Sequence, residues 1–263
     1  MAEIEVIEHP LSPYAQKVKI ALDEKGIEYR TSLPQGIGSG STPDLTKESF
    51  RGEVPVLRID DASMFSSRIM VQYIEDRWPT PALFPADPLP RARAREIEEV
   101  CDTHYEAITW GMGEVHFFGR AKDGLADKLT ATAREQVGRL NAWLDSRLGD
   151  ADWFGGDSFG YADLAAAPFV QGAASFGFTP AEGSALAAWL SRARERPSVA
   201  KAFAAAADVR GSMTDVAALV ESGMFKRQYR DHRLEWMVRS GGFDVVREGL
   251  EKNNIRFNSE PAA

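Results

Sequence analysis

An α/β domain followed by an all-helical domain is the fold class this sequence predicts, and three observations predict it. Short β-branched runs alternate with helical patterns through the first eighty residues. A proline-rich stretch, Pro79 to Pro90, then interrupts the chain. From Arg91 onward the apolar spacing is almost entirely helical. At 263 residues the chain has room for two domains.

The first strand is read from Ile4, Val6 and the neighbouring Ile7. A junction follows, His9-Pro10-Leu11-Ser12-Pro13-Tyr14, and then Val18, Ile20, Ala21 and Leu22 at helical spacing. Ser is a favoured N-cap, and Pro is favoured at the first helical position because its missing N–H would be an orphan there. Ser12 therefore stands at the positive end of a helix, which attracts anions, a thiolate among them. On this stretch alone a plain helix cap is the simpler reading.

Residues 52–78 change the balance. Gly52-Glu53-Val54-Pro55-Val56-Leu57-Arg58-Ile59 is a strand pattern with a proline inside it. Proline cannot donate to a ladder, and a cis Val54–Pro55 bond in a turn before the strand is one solution. A turn at Asp60–Ser63 and a short strand at Met64-Phe65 complete a hairpin. Ser66-Ser67 then open a helix with Ile69, Met70, Tyr73, Ile74 and Trp78 on its apolar positions, ending at Trp78-Pro79. The order reads β-α-β-α-β-β-α.

That order is the thioredoxin-like arrangement, and with these motifs in sequence the chain resembles the glutathione S-transferase family. Leu83-Phe84-Pro85-Ala86-Asp87-Pro88 is similar to the family's linker. Phe159-Gly160-Tyr161-Ala162-Asp163-Leu164 is similar to its helical-domain capping box, with Gly160 at the N-cap and Asp163 three residues on. The resemblance implies a thioredoxin-like domain over residues 1–80, a linker over 81–88, an all-helical domain over 89–207, and an extension over 208–263 beyond the usual family length.

It also implies function. Glutathione would be the co-substrate, bound at Ser12, Tyr14, Val54, Pro55, Ser66 and Ser67. Ser12 would be the catalytic residue, its hydroxyl donating to the glutathione sulfur, with Tyr14 a second donor or a residue that packs along the site. Val54 would present its backbone to the cysteinyl arm. The family usually carries Glu-Ser where this chain carries Ser66-Ser67. Ser67 fits the role beside the γ-glutamyl carboxylate, whereas Ser66 lacks the charge that meets the ammonium. A charge-assisted bond of about 1.5–3 kcal/mol is missing there, or another acid supplies it. The thiolate would attack a small apolar electrophile between the domains, by conjugation or by thiolytic ether cleavage. A homodimer in the cytoplasm is the family's usual state. The alternative is a transferase-like protein without catalysis that binds a protein partner through the fold and its extension.

In the helical domain, one long helix is expected from Pro90 to Phe118, kinked at Gly111 or Gly113. Others are expected over Asp127–Leu148, from Gly160 through a wholly apolar run to Val170, over Ser184–Arg194 and over Ser198–Ala207. On the long helix, Tyr105, Trp110 and His116 are the expected residues of the second-substrate pocket. His104 and Phe117 lie close by, and about two of these five rings should face the pocket. Met213 to Val238 has a helical pattern broken near Gly223, with Lys226, Arg227, Arg230, Arg233 and Arg239 interleaved with aromatic residues. The expectation is a packed helix whose charges face water, partly covering the pocket, rather than a membrane-surface helix.

Several classes are excluded. A net charge of −8 argues against general nucleic-acid binding. No apolar run approaches the ~20 residues of a membrane span, and the acidic start lacks a signal-peptide pattern. One cysteine excludes an internal disulfide and suits a reducing compartment. No His pair has metal-ligand spacing, and Cys101, among acids, is expected to be a buried small residue. The run 36–41, rich in Gly and Ser, lacks phosphate-loop spacing and is expected to form a loop beside the ligand.

Overall fold

The computed structural model describes residues 3–34, 43–212 and 216–257, so the expected loop at 36–41 lies outside the described residues. Within the first domain, β1 (Ile4–Ile7), β2 (Arg30–Ser32), β3 (Val56–Ile59) and β4 (Ala62–Phe65) form one sheet in the order β2-β1-β3-β4. β1 pairs parallel with β2 and antiparallel with β3, and β3 and β4 make the hairpin. Helices α1 (Pro13–Glu24), α2 (Pro43–Glu48) and α3 (Ser67–Arg77) complete the thioredoxin-like α/β domain. Every residue from Ala15 to Leu22 is buried, because α1 is covered by α3 on one side and by the helical domain on the other.

That burial includes a charge. Lys17 is fully buried and meets Glu98 at 2.7 Å and Asp102 at 2.8 Å, both from the helical domain. Glu98 also accepts from the Tyr161 hydroxyl. An uncompensated buried ammonium would be severely destabilising, so this cluster fixes how the two domains meet.

On α3 the apolar face is Met70, Val71 and Ile74. Ile69, expected on that face, is 55% exposed, since it lies a quarter-turn away from Met70.

The helical domain comprises α4 (Pro88–Val100), a π-helical turn (Cys101–Tyr105), α5 (Glu106–His116), α6 (Leu125–Leu148), α7 (Tyr161–Ala174), α8 (Ala185–Glu195) and α9 (Pro197–Ser212). The irregularity in the long helix is the π-turn, a common site of one-residue insertion. Gly111 and Gly113 lie in regular helix instead. Helix α7 is buried on all sides through Val170, as its unbroken apolar run requires. At its start the Gly160 N–H donates to Asp163 at 2.9 Å. A Cβ at Gly160 would stand 2.9 Å from the Leu83 carbonyl oxygen, so the linker passes where only glycine leaves space.

The extension is not one helix. It forms α10 (Val216–Glu221), β5 (Arg227–Tyr229), α11 (Asp231–Arg239), α12 (Phe243–Glu251) and β6 (Ile255–Phe257), with β5 and β6 paired in parallel. The extended backbone at 227–229 satisfies its hydrogen bonds against 255–257, a partner that helical periodicity cannot reveal. Tyr229, Trp236, Met237, Val245, Val246 and Ile255 join the main hydrophobic core. The Trp236 ring occupies the notch at Gly111, where a Cβ would come within 2.1 Å of it, and its Nε1 donates to Gln136 at 2.8 Å.

Candidate functional site

Ser12 caps α1 in extended backbone, φ −74° and ψ 113°, and its Oγ accepts from the Ala15 N–H at 3.3 Å. Accepting uses a lone pair and leaves the hydroxyl proton free to donate elsewhere. Pro13 occupies the first turn. Tyr14 is committed otherwise. Its hydroxyl donates to the Asp102 carbonyl at 2.7 Å, its ring meets Phe169 edge-on at 5.7 Å, and burial pushes its pKa far up. Tyr14 is therefore a wall of the site, and its proton is already engaged.

The Val54–Pro55 bond is cis. Across from it, Ser66 adopts φ +74°, a region where L-residues are uncommon, and its side chain makes no capping bond to α3. Ser67 follows as the buried first residue of α3. The helix N-terminus behind Ser67 offers unpaired N–H groups to an anion.

Two cavities divide these residues. One, of about 620 Å³, is lined by Val54, Pro55, Ser66 and Ser67. The other, of about 950 Å³, is lined by Ser12, Pro13 and Val54 on one wall and by Trp110, Phe117, Phe118, Phe169 and Phe176 on the other. They share Tyr14, Glu53, Val54 and Arg230, so Ser12 and the Ser66–Ser67 pair stand on opposite sides of a common divide. Arg230 lies over the Tyr14 ring at 5.6 Å and 3.8 Å from Glu53.

Of the rings expected at the second pocket, Trp110 and Phe117 line it. Tyr105 does not: it is fully buried and donates to Asn141 at 2.7 Å, because the π-turn rotates it into the core. His116 also does not; it is exposed and stacks on Phe176 at 5.5 Å, and His104 is exposed as well. Cys101 is buried, and burial pushes its thiol up, away from nucleophilic use. Among the described residues no cluster could hold a metal ion.

Sequence reasoning misplaced two of the basic residues of the extension, whereas Arg239 faces water as expected. Arg227 and Arg233 do not face water. Arg227 pairs with Glu114, and Arg233 pairs with Glu106, with Arg233 Nε 3.0 Å from Oε1. His232 joins Glu106 at 2.9 Å. Burial alone would raise the Glu106 carboxyl, but Arg233 and His232 overcome it and hold the group near 2. Trp110 lies between two guanidinium groups, with Arg227 at 4.5 Å and Arg233 at 5.1 Å. The alternation of basic and aromatic residues was the available signal. It marked the face of the extension that lines the larger cavity.

Comparison with known proteins gives the family and the fold. Residues 6–82 match the family model for the glutathione S-transferase N-terminal domain, and residues 108–197 match that for the C-terminal domain. The chain is 32% identical over 206 residues to glutathione S-transferase U28 of Arabidopsis thaliana, covering 76% of this chain and 88% of that protein. Its fold is similar to a Tau class glutathione S-transferase from mango, with a TM-score of 0.66 at 23% identity over 81% of this chain and 99% of the other. Rice GST1, solved in complex with glutathione, shares the fold with a TM-score of 0.66 at 24% identity, over 82% and 97% of the two chains.

Proposed function

This chain belongs to the glutathione S-transferase family, and on that premise we propose that Ser12 activates glutathione for attack on an apolar electrophile. Glutathione is the co-substrate that membership of the family brings. The observation that carries the reading is the Ser12 hydroxyl at the N-terminus of α1, its proton free because the helix cap uses only a lone pair.

A free thiol titrates near ~8.5, and a helix N-terminus with a hydroxyl donor lowers that value. The thiol proton passes to solvent. The sulfur lone pair forms the bond to the electrophilic carbon, and the leaving group departs with its electron pair. Thiolytic ether cleavage is the same attack with an aryloxide leaving. Ser12, Val54 and Pro55 would hold the cysteinyl arm through a hydroxyl and backbone groups. Ser67 would hold the γ-glutamyl carboxylate at the N-terminus of α3. Of the carboxylates on that cavity, Glu53 lies 3.8 Å from Arg230, Glu99 is engaged by Arg68 and Asp102 by Lys17. Asp231, whose side chain is 96% exposed and meets only His232 at 3.3 Å, is the one positioned to take the ammonium that Ser66 cannot. A homodimer in the cytoplasm accompanies this reading, on the strength of the family resemblance.

The test is glutathione calorimetry together with turnover of Ser12→Ala. Binding in the micromolar to low millimolar range and a turnover loss of at least about tenfold, ~1.4 kcal/mol of barrier, are expected. No measurable binding, or unchanged turnover between about pH 6 and 9, overturns the role of Ser12.

A further inference from the structure

The second cavity is walled by aromatic rings, yet it carries far more positive than negative charge. Six cationic side chains line it: Arg210, Lys226, Arg227, Arg230, Arg233 and Arg256. Among the described residues only two carboxylates do, Glu53 and Glu106, with Glu114 behind Arg227. All six lie beyond residue 207, past the residues matched by the family models.

Three of the six are balanced. Arg227, Arg230 and Arg233 face Glu114, Glu53 and Glu106 in turn. Arg210, Lys226 and Arg256 have no carboxylate partner among the described residues, and the Lys226 ammonium donates to Asn253 Oδ1 at 3.1 Å. Arg210 lies over the rings of Phe117 and Phe176, at 5.4 and 5.2 Å, which fixes its plane and leaves its N–H edge unspent. Arg256 reaches the Gly52 carbonyl at 3.3 Å and Gln228 Oε1 at 2.6 Å, while its buried Nε has no hydrogen-bond partner. Burial pushes both guanidinium groups below their ordinary values; no charge offsets this at Arg210, and at Arg256 the Glu53 carboxylate offsets it only in part. A planar guanidinium fork matches a carboxylate in shape as well as charge.

Because both line this one cavity, we propose that the second substrate is an aromatic electrophile bearing a carboxylate, its ring against Trp110 and Phe117 and its anion drawn to the guanidinium groups of Arg210 and Arg256. The proposal rests on the reading of this cavity as the electrophile's site. A lone positive charge in an apolar pocket would repel nothing neutral, but it would leave a neutral ligand facing two desolvated cations, a penalty that an anion removes.

The probes are 3,5-dinitrobenzoate and its methyl ester, which share a ring and differ in charge, and calorimetry reads the binding of each. The carboxylate should bind at least about tenfold tighter than the ester, less so as salt rises. Arg210→Gln and Arg256→Gln should each lower that ratio at least about threefold, and the double variant should bring it near one. Circular dichroism and melting temperature establish that the variants are folded. Equal affinities in the unmodified protein, or a ratio that survives in the double variant, overturn the proposal. So does a result in which the variants weaken glutathione and leave the benzoate ratio intact, since the arginines then serve the carboxylates of glutathione itself. Turnover of the 4-chloro derivatives separates the two readings. If the benzoate preference holds but neither derivative reacts with glutathione, the anion site stands and the transferase reading falls. Equal turnover of acid and ester with equal binding does the reverse.

Discussion

Ser12 and Val54 line the larger cavity and Val54 and Ser67 the smaller one, all from the first eighty residues and all uncharged. Residues 227–256 bring guanidinium groups to the larger cavity. The first region is built from caps and turns, which are local. The second is built from ion pairs that join residues more than a hundred positions apart, Glu106 to Arg233 and Glu114 to Arg227. On the proposed reading, local devices position a reactive atom, whereas the long-range ones decide what can lie beside it.

The difference can be broken most forcefully at Arg233. Arg233→Ala leaves Glu106 buried with only His232 beside it, and loss of one partner of a buried pair costs about 3–5 kcal/mol. The extension should become open to limited proteolysis while residues 3–207 stay folded. Replacing both partners, Glu106→Leu with Arg233→Leu, should cost less than the single change. A proteolysis pattern identical to the parent's would show that the pair does not hold the extension. The same pair sets a pH dependence. The Glu106 carboxyl lies near 2 in the folded chain against an ordinary 4.5, so its contribution is full above about 4.5 and is lost as pH falls toward 2. Protection of the extension, read by hydrogen exchange, should decline in that window.

Gly111→Ala is the next largest. A methyl group there meets the Trp236 ring at 2.1 Å. Overpacking of this kind costs about 1–3 kcal/mol, against a gain of about 1 kcal/mol in helix propensity. The fluorescence of Trp236 should shift as the ring leaves its notch, with a fall in melting temperature. A variant more stable than the parent, with Trp236 undisturbed, would mean that propensity outweighs the contact.

On the other side of the divide the effects are smaller and act on binding. Ser66→Glu places a carboxylate where Ser66 has none, without adding backbone strain, because both residues carry a Cβ at φ +74°. Glutathione affinity should rise by roughly tenfold, the scale of a charge-assisted bond. Asp231→Asn should lower it by no more than a few-fold, since an exposed charge is worth only ~0–1 kcal/mol. Calorimetry checks both, and a weaker Ser66→Glu protein would show that the ammonium is already met at that place.

The order of these effects tracks what the sequence made legible. Ser12 before Pro13, proline after Val54, and Gly160 three residues before Asp163 are short-range signatures, and the strands, helices and caps they mark are where the pattern placed them. The extension was hidden for two physical reasons. Tyr229 and Phe257 meet through a two-stranded pairing that no periodicity encodes. Gly111 carried the sign of a kink, but its meaning depended on Trp236, 125 positions away in the chain. Tyr105 was misplaced because the π-turn over Cys101–Tyr105 shifts the helical register by one residue, turning that ring from the pocket to the core.

The most direct measurement is the titration of the glutathione thiol on the protein, followed by the ultraviolet absorbance of the thiolate. In the parent protein the bound thiol should ionise at least about one pH unit below its free value near ~8.5, and in Ser12→Ala it should return toward that value. A bound thiol that titrates as it does in water, alike in both proteins, would contradict the role assigned to Ser12 and to the helix it caps.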